Sequence, residues 1–591
     1  MKRISLYVFW DKEGLVRDHV IYYLINLQKI SNSIIFIVNG HISNDSKEKI
    51  SKLGIDIFIR KNSGFDFYAW RDIIIYKLFN NLYNYDELIL CNSSCYGPIY
   101  PFTDMFSEMD KKSCDFWGIF RHPACEGKYA SHLQSYFLVL RNRLIKSPVF
   151  QEYWKNLQPA KDWNEAVRQE TCFTKYFEDR GFHSLSYVNE QKYLPLISNP
   201  SVMLPQELIE HDHFPLLKRK AFTESYSNFF FAGMSSQGNE SLAYIKKNTS
   251  FPVEYIIDDL IHTMKGSDLR RILHSVFILH DTSIAHNNIY KNISLIIFSY
   301  FEELIEYNIH YIKSMPHQSD IIIVVVSNNM KKLWEVQKNN IKEYNIEIRL
   351  QINRGRNESA YWLTCRDVVE SHDVICVAHD KKTPSARPGI KGYYFSKHCW
   401  DNLLKSQSYV ENILEVFRSH PQLGMLMPPP PLFSDWTTCI VGNEWAGNRA
   451  WGEKLYSMLD LHVPFDDKPD APYGGMFWVR GKAMAPFYRY PWTMEDFPEE
   501  PLKKNDGTIL HALERMYPMI VQEAGYYTGW VMPESQAGVV FDNLYFCLQQ
   551  RESTLRGTGD VHFRQVKSIL KAYGKKIMFK LIKKMSIKHH A

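Results

Sequence analysis

This chain repeats itself at an offset near 290 residues, and that self-similarity limits the fold more than any single element does. Ile4–Phe9 reads like Ile293–Phe298, each followed by a helical pattern, about Leu15 to Leu27 and about Glu302 to Ile312. A second apolar strand follows in both copies, Ile34–Val38 and Ile321–Val326. Short strands at Ile55–Ile59 and Ile346–Leu350 then lead into Asn62, Gly64, Asp66 and Trp70 in one half and Asn353, Gly355, Asn357 and Trp362 in the other. Further on, Asp86–Ser94 corresponds to Asp373–Lys381 and Gln134–Arg141 to Gly474–Arg480. Glu170 corresponds to Asp506, each read as an acid opening a helix.

Apolar strands of five or six residues alternating with amphipathic helices describe βαβ units, and hence mainly parallel sheets covered on both faces. The expected fold class is α/β, and 591 residues exceed what one core organises. Two tandem Rossmann-like domains are expected at 1–205 and 291–550, joined by a largely helical segment at 206–290 and followed by a tail at 551–591.

Ten cysteines in so long a chain form no disulfide framework and read as thiols. The longest apolar runs, such as Ile321–Val326, are far too short to span a bilayer. Asp11 and Glu13 interrupt the apolar start, so a secretory leader is not indicated and a cytoplasmic location is expected. Nine Lys or Arg and no acid lie between Arg564 and Lys588, which outweighs the net charge of +5 and leaves the rest slightly acidic. Nucleic acid is therefore not an expected partner.

In doubly wound sheets ligands bind beyond the carboxyl ends of the strands. His379, Asp380, Lys381 and Lys382 follow such a strand. A carboxylate there suits a divalent cation (Mg2+ or Mn2+) bound against a diphosphate, with the lysines adding positive charge. The plain alternative is a solvated turn before Pro384. Asn62 and Asn353, each two residues before a glycine, fit a loop closing on a ligand, although a structural turn explains them equally. Glu170 and Asp506 are candidate general bases or simply helix caps, with Glu495, Asp496, Glu499 and Glu500 as alternatives. After Pro428–Pro431 come Trp436, Trp445 and Trp451, whose indoles suit the apolar face of an acceptor sugar or, equally, a core. Gly442–Arg449 lacks the Lys and Ser/Thr of a phosphate-binding loop, so ATP hydrolysis is not indicated.

The order of these motifs resembles glycosyltransferases of the GT-A fold, and most closely the rhamnan synthesis protein F family of bacterial cell-surface polysaccharide enzymes. In the first half the resemblance rests on Gly64–Phe67 with Trp70, Asn92–Pro98, Asp115–Gly118 and His132–Phe137. In the second it rests on Asn353–Arg356, His379–Lys382, Leu423–Leu426, Phe497–Pro501, Asp506–Thr508, His511–Arg515 and Glu523–Gly529. It implies transfer of a sugar, typically L-rhamnose from a dTDP-activated donor, to a lipid-linked glycan at the inner membrane face. Asp506 and Glu170 would then serve as bases and Asp380 as the metal ligand. Asn353, Gly355, His379, Lys381, Lys382, Asn62, Gly64, Asp66 and Asn92 would hold donor, while Trp436, Trp445, Trp451 and His132 would hold acceptor. Two positions depart from the family pattern: Ser93 stands where the first half would carry an Asp, and Asn357 where the second would. A non-catalytic glycan-binding scaffold is the rival reading of these departures.

In the tail, Val566, Ile569, Leu570, Tyr573, Ile577, Leu581 and Met585 recur at helical spacing among lysines. A basic amphipathic helix lying on an anionic inner leaflet is the expectation, with packing on the protein body as the alternative.

Overall fold

The computed structural model describes residues 1–555 apart from 80, 125–126, 128, 194–195, 198, 283–291, 318, 383–387, 434–439 and 503–505. The chain is mixed α/β with two large, mainly parallel sheets. The first contains β1 (Arg3–Phe9), β2 (Ser33–Asn39), β3 (Asp56–Arg60), β4 (Glu87–Asn92), β5 (Phe116–Gly118), β6 (Phe137–Arg141) and β7 (Ser184–Ser186), in the order β7-β5-β6-β4-β1-β2-β3. The second contains β8 (Val276–Leu279), β9 (Ile293–Phe298), β10 (Asp320–Val325), β11 (Asn345–Leu350), β12 (Val374–His379), β13 (Leu423–Met427), β14 (Phe477–Arg480) and β15 (Tyr527–Pro533). Its order is β8-β15-β13-β14-β12-β9-β10-β11, so from β15 onward it repeats the first sheet strand for strand. The antiparallel member also falls at the same place, β6 beside β4 and β14 beside β12.

The central strands β1, β4 and β9 are buried along their whole length, as expected of parallel strands covered on both faces, and hence their unbroken apolar sequences. Register links the halves residue by residue. Leu6 pairs with Leu90 and Leu90 with Leu138, while Ile296 pairs with Val377 and Val377 with Phe477. Counting back three residues from Leu138 and Phe477, into the turns ahead of the antiparallel strands, Gly474 takes the place of Ser135.

Helices α1 (Phe65–Ile73) and α2 (Trp163–Glu178) lie against the first sheet. Helix α3 (Val253–Thr263) comes from the connecting segment and touches both halves. Toward the first half, its buried Asp259 accepts from Tyr96 Oη at 2.6 Å, and it also pairs with Arg219 of the same connecting segment at 2.9 Å. Without those partners a buried carboxylate would be strongly destabilising. Toward the second half, the carbonyls of Ile261 and Met264 at its end accept from the Gln522 amide. The connecting segment also supplies β8, which pairs in parallel with β15.

Candidate active site

In the second half, the loop after β11 turns through Gly355 and Arg356, both in the left-handed region at φ 76° and 51°. A Cβ at Gly355 would stand 2.7 Å from Phe497 Cβ, so glycine is required by space as well as by conformation. Arg354 pairs with Glu499 at 2.9 Å and Arg356 with Glu500 at 2.6 Å, clamping the 497–501 segment onto the loop. These two candidate bases are thus held in ion pairs. The short helical turn Arg356–Ser359 then carries Glu358 into the interior, where its Oε1 accepts from Asn357 Nδ2 at 3.0 Å and its Oε2 from Trp362 Nε1 at 3.4 Å.

Facing it is Glu514, on α4 (Ile509–Glu523), whose Oε2 accepts the backbone N–H of Gly474 at 3.1 Å. Burial, and secondarily the charge of Glu514, push Glu358 up to about 8. At neutral pH Glu358 is mostly protonated beside the second carboxyl group. Such a pair at the carboxyl end of a parallel sheet is suited to proton transfer.

Asp380 stands at the strand end expected of it, but its oxygens are committed. Oδ2 accepts from Tyr300 N at 2.7 Å, Phe301 N at 2.8 Å and Ser299 Oγ at 3.3 Å, and Oδ1 from Asn308 Nδ2 at 2.6 Å. The carboxyl is 7% exposed, and burial raises its pKa despite these donors. His379 is turned to backbone, its ring nitrogens 2.7 Å from the carbonyls of Asp380 and Gly474, and burial lowers its pKa to about 4. Among the described residues no three His, Cys, Asp or Glu stand together to hold a metal ion. With four local donors on its oxygens, Asp380 has the geometry of a brace for the loop after β9 rather than of a ready-made protein cage for a cation. Lys381 lies with its ammonium 4.6 Å over the Phe395 ring, whereas Lys382 is paired with Glu303.

Asp506 is exposed just before α4, where Oδ1 accepts from Asn448 Nδ2 at 2.7 Å and Oδ2 from Gly447 N at 3.4 Å. Partial burial works the other way, but the Asn448 and Gly507 hydrogen bonds and the Arg515 charge hold it below the usual carboxylate range. Trp445 does not meet an acceptor: it is 5% exposed, stacks on Phe465 at 5.3 Å and donates to the Asp466 carbonyl at 2.9 Å. It is a core residue, which corrects its expected role. Trp451 is half-buried with Lys454 over its ring, and Trp436 lies outside the described residues. Asn353 and Asn62 are exposed on their loops.

The first half builds the same arrangement from different residues. Gly64 has φ 74°, and a Cβ there would stand 2.6 Å from Tyr68 Cβ. Asp66 Oδ2 accepts from Asn92 Nδ2 at 2.7 Å, and burial raises Asp66 to about 6, with the charge of Glu170 adding to it. Glu170 Oε2 accepts from Ser135 N at 3.4 Å and from Ser135 Oγ. The buried His132 ring stacks on His122 and brings Nε2 to 3.7 Å from Glu170 Oε1. Burial raises Glu170, yet His132, Lys218 and Ser135 outweigh it and leave the group below its ordinary value.

Since Ser135 and Gly474 are equivalent in register, the counterpart of Glu170 is Glu514. This corrects the pairing of Glu170 with Asp506. Nor does Glu170 open a helix: α2 begins at Trp163, capped by Asp162, whose side chain accepts from Glu165 N at 2.9 Å. Glu358, Glu514 and Lys218 were not singled out from sequence. The signal for Glu514 lay within the His511–Arg515 run, and that for Glu358 directly after Asn357.

A profile of the family described as rhamnan synthesis protein F matches residues 34–526. The chain belongs to the rhamnan synthesis protein F family. A curated relative, the uncharacterized protein y4gN of Sinorhizobium fredii, is 24% identical over 200 residues, which is 34% of this chain and 52% of that protein. The chain thus spans about half the length of the curated relative it matches. Among solved structures, a mannosyltransferase of Pyrobaculum calidifontis in complex with GDP-Man and Mn2+ is 10% identical, covering 42% of this chain and 56% of its own, with a TM-score of 0.25. The glycosyltransferase GlyE of Streptococcus pneumoniae is 13% identical, covering 71% and 99%, with a TM-score of 0.23. No helix among the described residues is long and apolar enough to cross a membrane.

Proposed function

We propose that this member of the rhamnan synthesis protein F family is a glycosyltransferase that moves a sugar, L-rhamnose from a dTDP-activated donor, onto a lipid-linked polysaccharide. The observation that carries the reading is the Glu358 and Glu514 pair at the carboxyl end of the second sheet. In the transfer step Glu514 takes the proton of an acceptor hydroxyl. The hydroxyl oxygen bonds to the anomeric carbon, and the bond from that carbon to the phosphate oxygen breaks with its electrons on the departing nucleoside diphosphate. Glu358, protonated, limits the charge around Glu514 before the proton arrives. Lys381 supplies positive charge beside the Gly474 turn. Asp506 anchors the Gly447 and Asn448 loop at the mouth, so the role of base passes from Asp506 to Glu514.

The lipid-linked acceptor would be met at a membrane surface. Helix α5 (Glu534–Leu555) supports this, because it leaves Val539, Phe541, Leu544, Tyr545, Phe546 and Leu548 exposed directly before the basic tail. The tail residues themselves lie outside the described residues. Flotation with anionic liposomes, with and without residues 556–591, tests the docking.

The activity is tested by incubating the full chain with dTDP-L-rhamnose, GDP-mannose or UDP-glucose, each with and without a lipid-linked acceptor and with and without Mg2+ or Mn2+. Acceptor-dependent release of dTDP is expected. No acceptor-dependent release from any of the three donors would refute the reading.

A further inference from the structure

The two halves share their floor but not their rim. In the second half the residue after the left-handed glycine is Arg356, tied to Glu500 in an ion pair. In the first half the equivalent residue is Phe65, and its ring meets that of Trp163 edge to face at 6.2 Å. Both rings face solvent, Phe65 at 37% exposure and Trp163 at 66%. Phe65 directly precedes Asp66 and Trp163 opens the helix that carries Glu170, so the aromatic pair sits at the starts of the same two helices that supply the Asp66 and Glu170 carboxyls. Two large exposed rings held at fixed mutual geometry beside hydrogen-bonding groups offer apolar faces on which a ligand can stack.

The floor speaks to the chemistry of the ligand. Asp66 and Glu170 present carboxylate oxygens, while the Asn92 amide is spent locally, its Nδ2 on Asp66 and its Oδ1 on Ser94, and Lys218 adds one cation whose influence falls on Glu170. Ser93 replaces the buried carboxyl that braces the loop in the second half, and its Oγ is 3.5 Å from Trp10 N. An acceptor-rich floor under an uncharged aromatic rim repels a diphosphate but suits a neutral saccharide, whose hydroxyls donate to carboxylates and whose C–H face stacks on an indole.

We infer that the first half is a saccharide-holding site, in which Phe65 and Trp163 stack on the growing glycan while Asp66 and Glu170 accept from its hydroxyls, separate from the transfer site of the second half. The inference rests on the proposed function for its choice of probe only.

The test uses the full chain and a rhamno-oligosaccharide without any nucleotide-sugar, so its outcome does not depend on transfer. Calorimetry and tryptophan fluorescence are read for wild type, Trp163→Ala, Phe65→Ala and the conservative Trp163→Phe, with thermal unfolding as the check on folding. Expected are saturable binding, a loss of at least tenfold in affinity for both alanine variants at unchanged melting temperature, and substantial recovery in Trp163→Phe. Wild-type affinity in both alanine variants would overturn the inference, as would absence of binding at millimolar oligosaccharide. Competition of the bound oligosaccharide by dTDP-rhamnose at the Phe65 and Trp163 rim would also overturn it, since the site would then take a donor.

Discussion

Glu514 accepts the backbone N–H of Gly474 at 3.1 Å, which fixes the carboxylate of α4 against the first residues of the turn leading into β14. The same contact recurs between Glu170 and Ser135 in the first half. A charged acceptor on a backbone donor is among the stronger hydrogen bonds, so both carboxyls are held in place before any ligand arrives.

The buried Glu358 gives the protein a stability that depends on pH. Its carboxyl is raised from an ordinary 4.5 to about 8, so between these values the folded chain holds a proton that the unfolded chain has lost. Stability contributed by this group is therefore full below about 4.5 and is lost as pH rises toward 8, at a slope of up to about 1.4 kcal/mol per pH unit. Glu358→Gln, which is neutral throughout, is expected to flatten that decline. Urea melts at pH 5, 6.5 and 8 check it, and equal pH dependence in both proteins would contradict it.

Replacing Asp380 by Ala orphans the N–H groups of Tyr300 and Phe301 and the amide of Asn308. A loss of roughly 2–4 kcal/mol is expected from unsatisfied buried donors. Denaturant unfolding measures it. Because the carboxyl braces the loop, Asp380→Asn is expected to retain the wild-type response of turnover to Mg2+ and Mn2+; a selective loss of that response would mark Asp380 as a ligand after all.

Trp445→Ala is expected to cost roughly 3–5 kcal/mol, as for other large core aromatics. With Trp445→Phe, which keeps the stack on Phe465 but loses the hydrogen bond to Asp466, acceptor KM should stay within about twofold of wild type. A large KM rise at unchanged stability would return the residue to the acceptor site.

Much of the architecture was legible because β1, β4 and β9 are apolar throughout, a pattern that parallel strands buried on both faces impose on sequence. The left-handed glycines were also legible, since Gly64 and Gly355 sit in matching loops. The partner of Glu170 was not. Glu170 is the eighth residue of α2 and Glu514 the sixth of α4, so their helices start at different distances from the shared contact and chain spacing misaligns them. Only strand register, through Ser135 and Gly474, brings them together. Asp380 was legible only in part: its position at a strand end follows from sequence, but the four local donors that make its carboxyl a brace come from a loop and a helix distant in the chain.

The most direct measurement is acceptor-dependent dTDP release by Glu514→Gln beside Asp506→Asn, each confirmed folded by its melting temperature. Removal of a general base costs roughly 10²–10⁴-fold in kcat. Glu514→Gln is expected to lose at least about 10²-fold in kcat with donor KM within about threefold, while Asp506→Asn keeps at least about a tenth of wild-type turnover. Near-wild-type kcat in Glu514→Gln together with an inactive Asp506→Asn would contradict the assignment and return the base to the mouth of α4.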